Sequence, residues 1–380
     1  MKSGASVAII GAGIGGLATA VALQNAGFEV KLYEKTSELR EVGAGISLWA
    51  NATAVLKQLG LLEEAIAKSA IIFGLRVKDW RGNLLTQTNV EKYDTPSICI
   101  HRRDLIELLG SRCNQTSIYL GRTFKSFEQS ETGVTVFFDG NEAVETDLLI
   151  GADGINSRVR AQIKGEAKPI YRGYAVWRGV VNAPPSVEVS NYATETWGCG
   201  NRFGLVPMGS NRFFWYATNN QKQNLRLPAD ERKALLLDLF RDCHEPIPKI
   251  IEATNATDIL QNDCYDRAPE NGWSQKRVCL IGDAAHPTTP NMGQGGCLAL
   301  EDAVVLTKQL QTASEAQTAF KRFEQARYER AKLINKRSLM LSRTGQWQNP
   351  WFVAARNLLV KSIPQDVLEN KFDKVYSYRA

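Results

Sequence analysis

Apolar residues fall along this chain in two periods that interrupt each other. Residues 6–10, Ser6-Val7-Ala8-Ile9-Ile10, make a short apolar run, the pattern of a strand covered on both faces. Past a glycine-rich break, Leu17, Ala20, Val21 and Leu23 recur at helical spacing. A second strand spans residues 29–33 and ends at Glu34. Ala54, Val55, Leu59 and Leu62 predict a helix over 51–62. Residues 75–88 alternate around Arg81-Gly82-Asn83, a hairpin signal, and residues 135–138 and 145–150 frame a second one at Asp139-Gly140-Asn141. Another helix opens at His101, with Asp104 near its start.

From 171 to 266 the texture changes. Short alternating or aromatic-rich runs, such as Ala175-Val176-Trp177 and Phe213-Phe214-Trp215-Tyr216, are separated by turn residues, and one helix over 229–243 interrupts them. This predicts a mainly antiparallel β-sheet inserted into an α/β body. A buried run returns at Val278-Cys279-Leu280-Ile281, followed by Gly282-Asp283, a Pro-rich turn and Gly293-Gln294-Gly295-Gly296. Leu298, Leu300, Ala303, Val304 and Leu306 continue as a helix, and a long helix covers 315–342. The tail, with Trp351, Val353, Leu358, Leu359 and Val360 after Pro350, reads as an amphipathic helix packed on the body. Membrane-surface contact through it is the alternative.

Bulk properties narrow the function. The 380 residues are 44% hydrophobic and 23% charged, an ordinary globular balance, and the length suggests two domains or one with an inserted piece. A net charge of +6, spread without blocks of like sign, is too mild to argue for nucleic acid. Seven cysteines form no CxxC, and several sit in apolar runs, so a reducing cytoplasm is expected. Glycines break the first apolar run, so it is not read as a signal peptide. No stretch reaches the roughly 18 apolar residues of a membrane span.

Three loops carry candidate chemistry. Gly11-Ala12-Gly13-Ile14-Gly15-Gly16 stands between strand and helix, and Glu34 follows the last glycine by 18 positions. Such a loop provides a tight turn, close approach to a pyrophosphate and close helix packing, with the acid on ribose hydroxyls. It suits NAD and FAD alike, while the carboxylate argues against a 2′-phosphate there. Gly151-Ala152-Asp153-Gly154 ends another buried strand in a turn before a capped helix. Gly282-Asp283 does the same, and the helix opening at Gly295-Gly296 offers bare N–H groups and a positive dipole end. Arg102 and Arg103 read equally as phosphate contacts or solvent-facing charges. No Ser-His-Asp triad or metal set is visible: His101, His244 and His286 lie in unrelated contexts.

In this order the three motifs resemble the single-component FAD-dependent aromatic hydroxylases, the class A flavoprotein monooxygenases, over nearly the whole chain. The texture is similar to urate hydroxylase-like, salicylate hydroxylase-like and zeaxanthin epoxidase-like members, and the run from Pro290 to Cys297 is similar to the epoxidase version. The resemblance implies a Rossmann-like FAD-binding domain of para-hydroxybenzoate hydroxylase type from residues 1–72, 99–170 and 268–340. A substrate-binding β-sheet domain would come from 73–98 and 171–267, and a C-terminal helical segment from 341–380. It implies that Gly11, Gly13, Gly15 and Gly16 hold the FAD pyrophosphate and that Glu34, with Lys35 beside it, holds the adenosine ribose. Gly45, Ser47 and Arg102 would contact the FAD, and Asp283 its ribityl chain. Gly293, Gln294, Gly295, Gly296 and Cys297 would bring backbone N–H groups to the pyrimidine edge, and Pro290 would be a cofactor-binding residue beside them. Asp153, with Gly154, would serve both FAD and NADH or NADPH, which has no Rossmann domain of its own here.

The implied chemistry is the cofactor's. NAD(P)H reduces the flavin, O2 adds at its C4a carbon, and the distal oxygen passes to a small aromatic or polyene-like substrate. An FAD oxidase or dehydrogenase on the same fold is the alternative. Arg202, Tyr216 and His286 are the candidates near the reaction. Arg202 stands where urate hydroxylase-like members place a substrate arginine, a hairpin surface residue being the other reading. Phe214 and Asn291 depart from that subfamily's tyrosine and aspartate. His286 reads as a structural histidine in a packed turn rather than a proton relay. Monomer and homodimer both fit.

Overall fold

The computed structural model describes residues 4–39, 43–114 and 117–380. Its central sheet runs in the order Ser274–Gln275, Val278–Leu280, Leu148–Gly151, Ser6–Ile10, Glu29–Tyr33 and Ile118–Tyr119. All neighbours are parallel except the two-residue edge strand Ser274–Gln275. Ile9 lies opposite both Ile150 and Leu32, and Ile150 opposite Cys279. These side chains are fully buried, which is why the strands read as apolar runs rather than as alternation. A parallel arrangement sends every strand's carboxyl end to one edge. Gly11, Glu34, Asp153 and Asp283 follow four of those ends, so sequence-distant loops meet there.

The loop after the first strand needs its glycines. Gly11 has φ +101°, and a Cβ there would lie 2.6 Å from the Ala152 carbonyl oxygen. A Cβ on Gly16 would lie 1.9 Å from the Gly11 carbonyl oxygen. The helices Ile14–Asn25 and Gly295–Thr312 also approach closely: a Cβ on Gly15 would stand 3.3 Å from that of Ala299.

A seven-stranded sheet stands on this body, in the order Leu260–Asp266, Ile170–Asn182, Arg212–Asn220, Asn201–Met208, Tyr192–Trp197, Gly74–Asp79 and Leu84–Asn89. It is antiparallel except where Tyr192–Trp197 meets Gly74–Asp79. One face buries Trp177, Phe203 and Trp215 beneath the helices Ala229–Leu239 and Ile247–Ala253, and the Trp215 indole donates to Thr254 Oγ1 at 2.9 Å. The opposite face carries Arg178, Arg202, Phe214 and Tyr216 in neighbouring register.

Several expected elements differ. The 51–62 helix is two, Ala50–Gln58 and Leu62–Ala67, parted at Gly60, whose φ of +71° ends the first. The 145–150 strand divides at Asp147: Ala143–Thr146 belongs to the hairpin and Leu148–Gly151 to the central sheet. The Asp147 carboxylate takes the Ser6 N–H at 2.7 Å, tying that division to the first strand. The 229–243 helix stops at Leu239, and Ile247–Ala253 was not foreseen. The tail holds two helices, Pro350–Lys361 and Gln365–Tyr376, the second of which returns to stack Tyr376 on Trp49 at 4.8 Å. Among the described residues, no helix is long and apolar enough to cross a membrane.

Candidate cofactor cleft

A cleft of about 480 Å³ opens along the carboxyl edge of the central sheet, and Glu34, Asp153 and Asp283 all line it. Gly11, Gly13 and Gly15 form one wall and Gly295 and Gly296 another, with Lys35 and Arg102 at the sides. A larger hollow of about 640 Å³, near Gln24, Arg112 and Glu145, holds none of these motif residues.

The three acids are held differently. Glu34 accepts from the Ala12 N–H at 2.9 Å and from the Thr36 N–H at 3.0 Å, which turns it across the glycine loop. Asp153 caps the helix Arg158–Lys164: one oxygen accepts from Arg158 N–H at 2.8 Å and Val159 N–H at 3.2 Å. Its other oxygen is buried with no hydrogen-bond partner. Burial pushes the Asp153 carboxyl up, against the hydrogen bonds from Ser157 and the helix. Asp283 is exposed on its cleft side while protein crowds its other sides. That crowding raises its carboxyl against the opposing pull of His286 and Arg102.

The cleft also gathers two uncapped helix starts. Neither Gly13 nor Gln294, the residues that precede Ile14–Asn25 and Gly295–Thr312, supplies a side-chain cap, and neither first turn contains an acid. Their N–H groups and positive dipole ends are left for a ligand. A Cβ on Gly13 would meet no protein atom within 4 Å. Open glycine at a helix start, acids beyond three strand ends and an orphaned buried carboxylate oxygen fit an elongated ligand with a diphosphate at its middle and hydroxyls on either side, as FAD has.

Other predicted residues stand behind the lining. Gly16 lies under the loop, and Gly45 is needed because a Cβ there would lie 2.4 Å from that of Phe214. Cys297 is buried, its thiol 3.9 Å from the Ser47 carbonyl oxygen and 3.4 Å from that of Gly293. Gln294 is fully buried and accepts from Asn51 at 2.9 Å. Pro290 begins a short 3-10 turn, and Gly293 follows it in the left-handed region at φ +59°. None of these six, nor Ser47, lines the cleft.

Arg202 is not a surface residue: it is the second residue of its strand, beside the hairpin turn, but only 2% exposed. Its guanidinium donates to Glu195 at 2.9 Å, to Gln346 at 3.0 Å and to Asn291. Tyr216 lies over Gly204, where a Cβ would come within 2.1 Å of its ring. Burial lifts the Tyr216 phenol well above its ordinary value, and the nearby Glu195 carboxylate adds to this. His286 is the packed-turn histidine, 2.6 Å from Asp302 and against the Trp273 ring.

A buried ion cluster went unread. Arg327 bonds Glu301 at 2.6 Å and Asp302 at 2.7 Å; Arg330 bonds Glu301 twice at 2.6 Å. Asp302 also receives the Gly282 N–H at 2.9 Å, while Glu301 accepts from Asn51 at 2.6 Å. The cluster thus braces the loop carrying Asp283 and the helix start at Gln294. The signal was present: adjacent acids, Glu301-Asp302, inside an otherwise apolar helix stripe.

Residues 4–338 match the family described as FAD binding domain. The chain is 38% identical over 370 residues to the aurachin C monooxygenase/isomerase of Stigmatella aurantiaca, covering 96% of each. It is 33% identical over 368 residues to the 2-heptyl-3-hydroxy-4(1H)-quinolone synthase of Pseudomonas aeruginosa, covering 94% of each. The crystal structure of Klebsiella pneumoniae HpxO with FAD and uric acid superposes with a TM-score of 0.92 at 27% identity, covering 98% of this chain and 97% of that one. This chain belongs to the FAD binding domain family and, within it, to the class A FAD-dependent monooxygenases.

Proposed function

We propose that this enzyme uses NADH or NADPH and O2 to hydroxylate a neutral, largely apolar aromatic bicycle of the quinolone type, carrying an alkyl tail. The observation that carries the substrate class is the state of Arg202. Every nitrogen of its guanidinium already has a partner inside the protein, and one partner is the Glu195 carboxylate. A cation so neutralised offers little to an anionic purine. Asn291 supports the same reading. It accepts from Arg202 and donates to the Tyr174 hydroxyl at 3.0 Å and to Thr289 at 2.8 Å, which a carboxylate could not do. Phe214 adds an apolar ring where the urate pattern has a phenol. One relative is named an aurachin C monooxygenase/isomerase and another a synthase of 2-heptyl-3-hydroxy-4(1H)-quinolone.

FAD, when bound, supplies the two-electron and oxygen chemistry. The protein's share is placement and exclusion. Gly13 and the N–H groups of the Ile14–Asn25 helix would seat the diphosphate, and Glu34 the adenosine ribose. Asp283 would accept from a ribityl hydroxyl. Gly295 and Gly296 would face the pyrimidine edge, where the positive helix end favours negative charge. Gly45, Ser47 and Cys297 would shape that wall from behind, and Arg102 would close the cleft's side.

The yellow, FAD-loaded protein should oxidise NADH or NADPH faster with 2-heptyl-4(1H)-quinolone than with urate, and put one atom of O2 into the product. Acceleration by urate alone would reject the substrate class. Turnover of substrate with no pyridine nucleotide, releasing peroxide, would instead make the protein an oxidase.

Asp283→Ala should weaken FAD binding by about 1.5–3 kcal/mol, the worth of a hydrogen bond to a charged group. Fluorescence titration of the apoprotein with FAD reads this directly. Unchanged affinity would remove Asp283 from the site.

A further inference from the structure

The helix Pro350–Lys361 is packed with its polarity reversed. Its one charged residue before the last, Arg356, is buried and donates to the carbonyl oxygens of Thr344 at 3.1 Å, Gly345 at 3.4 Å and Gly198 at 3.3 Å, with its guanidinium 5.0 Å from the Trp197 ring. Val353 is buried as well. The opposite face is apolar and in solvent: Trp351 is 83% exposed, Phe352 59%, Leu358 68% and Leu359 67%. Ala354 and Ala355 fill the space between them. The helix cannot roll to cover this face without stripping Arg356 of its partners, a costly exchange for a buried cation.

The patch continues onto the long helix Ala316–Gly345 and the turn after it. The Trp347 and Phe352 rings lie 5.9 Å apart, and Met340 is 58% exposed. Lys336, Met340, Arg343 and Trp347 recur at helical spacing, all exposed, and Lys361 is exposed at the far end of the next helix. Charge is concentrated here. Residues 336–380 carry eight Lys or Arg against three Asp or Glu; Arg356 is buried and Arg379 pairs with Asp94, while the acids Glu369 and Asp373 pair with Lys92. Large exposed apolar patches on a folded chain mark interaction sites. Tryptophan, phenylalanine and leucine ringed by lysine and arginine suit the boundary between headgroups and acyl chains.

We propose that this face docks on an anionic lipid surface, Trp351, Phe352, Leu358 and Leu359 entering the acyl boundary while Lys336, Arg343 and Lys361 meet the headgroups.

The test is flotation of the full-length, FAD-loaded protein with vesicles of phosphatidylcholine, with and without a quarter phosphatidylglycerol. Wild type should float with the anionic vesicles, weakly with the neutral ones, and less as salt rises. Replacing Trp351, Phe352, Leu358 and Leu359 together by Ser should cut the bound fraction by about tenfold with FAD content unchanged. A second variant, Lys336→Glu with Arg343→Glu and Lys361→Glu, leaves the apolar face intact and should lose the anionic preference. Wild type remaining unbound, a four-serine variant that floats like wild type, or equal binding to both vesicles overturns the proposal. So does a vesicle-inert dimer that the four-serine variant dissociates, which would assign the face to a second copy of this chain.

Discussion

Gly13→Ala is expected to leave the fold intact and to weaken FAD binding on the order of a hundredfold, about 2.7 kcal/mol. Gly13 has φ −73° and ψ −175°, a conformation alanine adopts without strain. Its Cβ would meet no protein atom within 4 Å, yet the residue lines the cleft, so the methyl would enter the space at the helix start proposed for the diphosphate. The neighbours give contrasting controls. At Gly16 the new Cβ would strike the Gly11 carbonyl oxygen at 1.9 Å, and at Gly11 the left-handed φ and the Ala152 carbonyl oxygen both object. Those two substitutions should cost stability without any ligand, about 1–3 kcal/mol or more. Apoprotein melting and FAD titration on all three variants separate the effects. If Gly13→Ala binds FAD as wild type does, the diphosphate does not sit at this helix start. If it melts early, the glycine serves the fold instead.

The cleft was legible because its parts are local. Each apolar run ends in glycine or acid, and a parallel sheet brings such ends to one edge, so Glu34, Asp153 and Asp283 converge as expected. What stayed hidden depends on distant partners. Arg202 draws its partners from residues 195, 291 and 346, and nothing near position 202 announces that its charge is neutralised. Gly45 reads as part of a cofactor loop, but the atom that demands glycine there belongs to Phe214, far along the chain. The tail misled for another reason. Apolar residues at helical spacing predict an inward apolar face, and Val353 and Val360 do pack inward, yet in Pro350–Lys361 the backbone carbonyls of Thr344, Gly345 and Gly198 claim Arg356 and leave Trp351, Leu358 and Leu359 exposed. The break at Gly60 was readable, since glycine after an apolar helical run commonly ends it.

Arg327→Met should destabilise the protein by about 3–5 kcal/mol, the usual cost of removing one partner from a buried ion pair. Arg327, Glu301 and Asp302 are all fully buried. Arg330 still answers Glu301 in the variant, so the burden falls on Asp302. At an unfolding entropy of about 2.1 cal/mol/K per residue, the loss corresponds to ~4–6 °C in Tm for a chain of this length. The acid limb carries a sharper signature. Burial works to raise the Asp302 carboxyl, but His286 and Arg327 together outweigh it and hold the group down to about 2. An unfolded aspartate titrates near 3.9. A depressed folded value means that stability is fully present above the unfolded value and is lost as pH falls toward the folded one. Wild type should therefore shed about 2 kcal/mol from this group between roughly pH 4 and pH 2. Without Arg327 the folded carboxyl rises toward its ordinary value, so much of that contribution disappears at neutral pH and the acid dependence of this group flattens. Melting curves across this range, on wild type and variant, measure both effects. A neutral-pH Tm shift below ~1 °C, or an unchanged difference at every pH, would mean that Arg327 does not sustain the charge of Asp302. Because Asp302 holds the Gly282 N–H one residue before Asp283, the same variant should also bind FAD more weakly, although Arg327 never reaches the cleft.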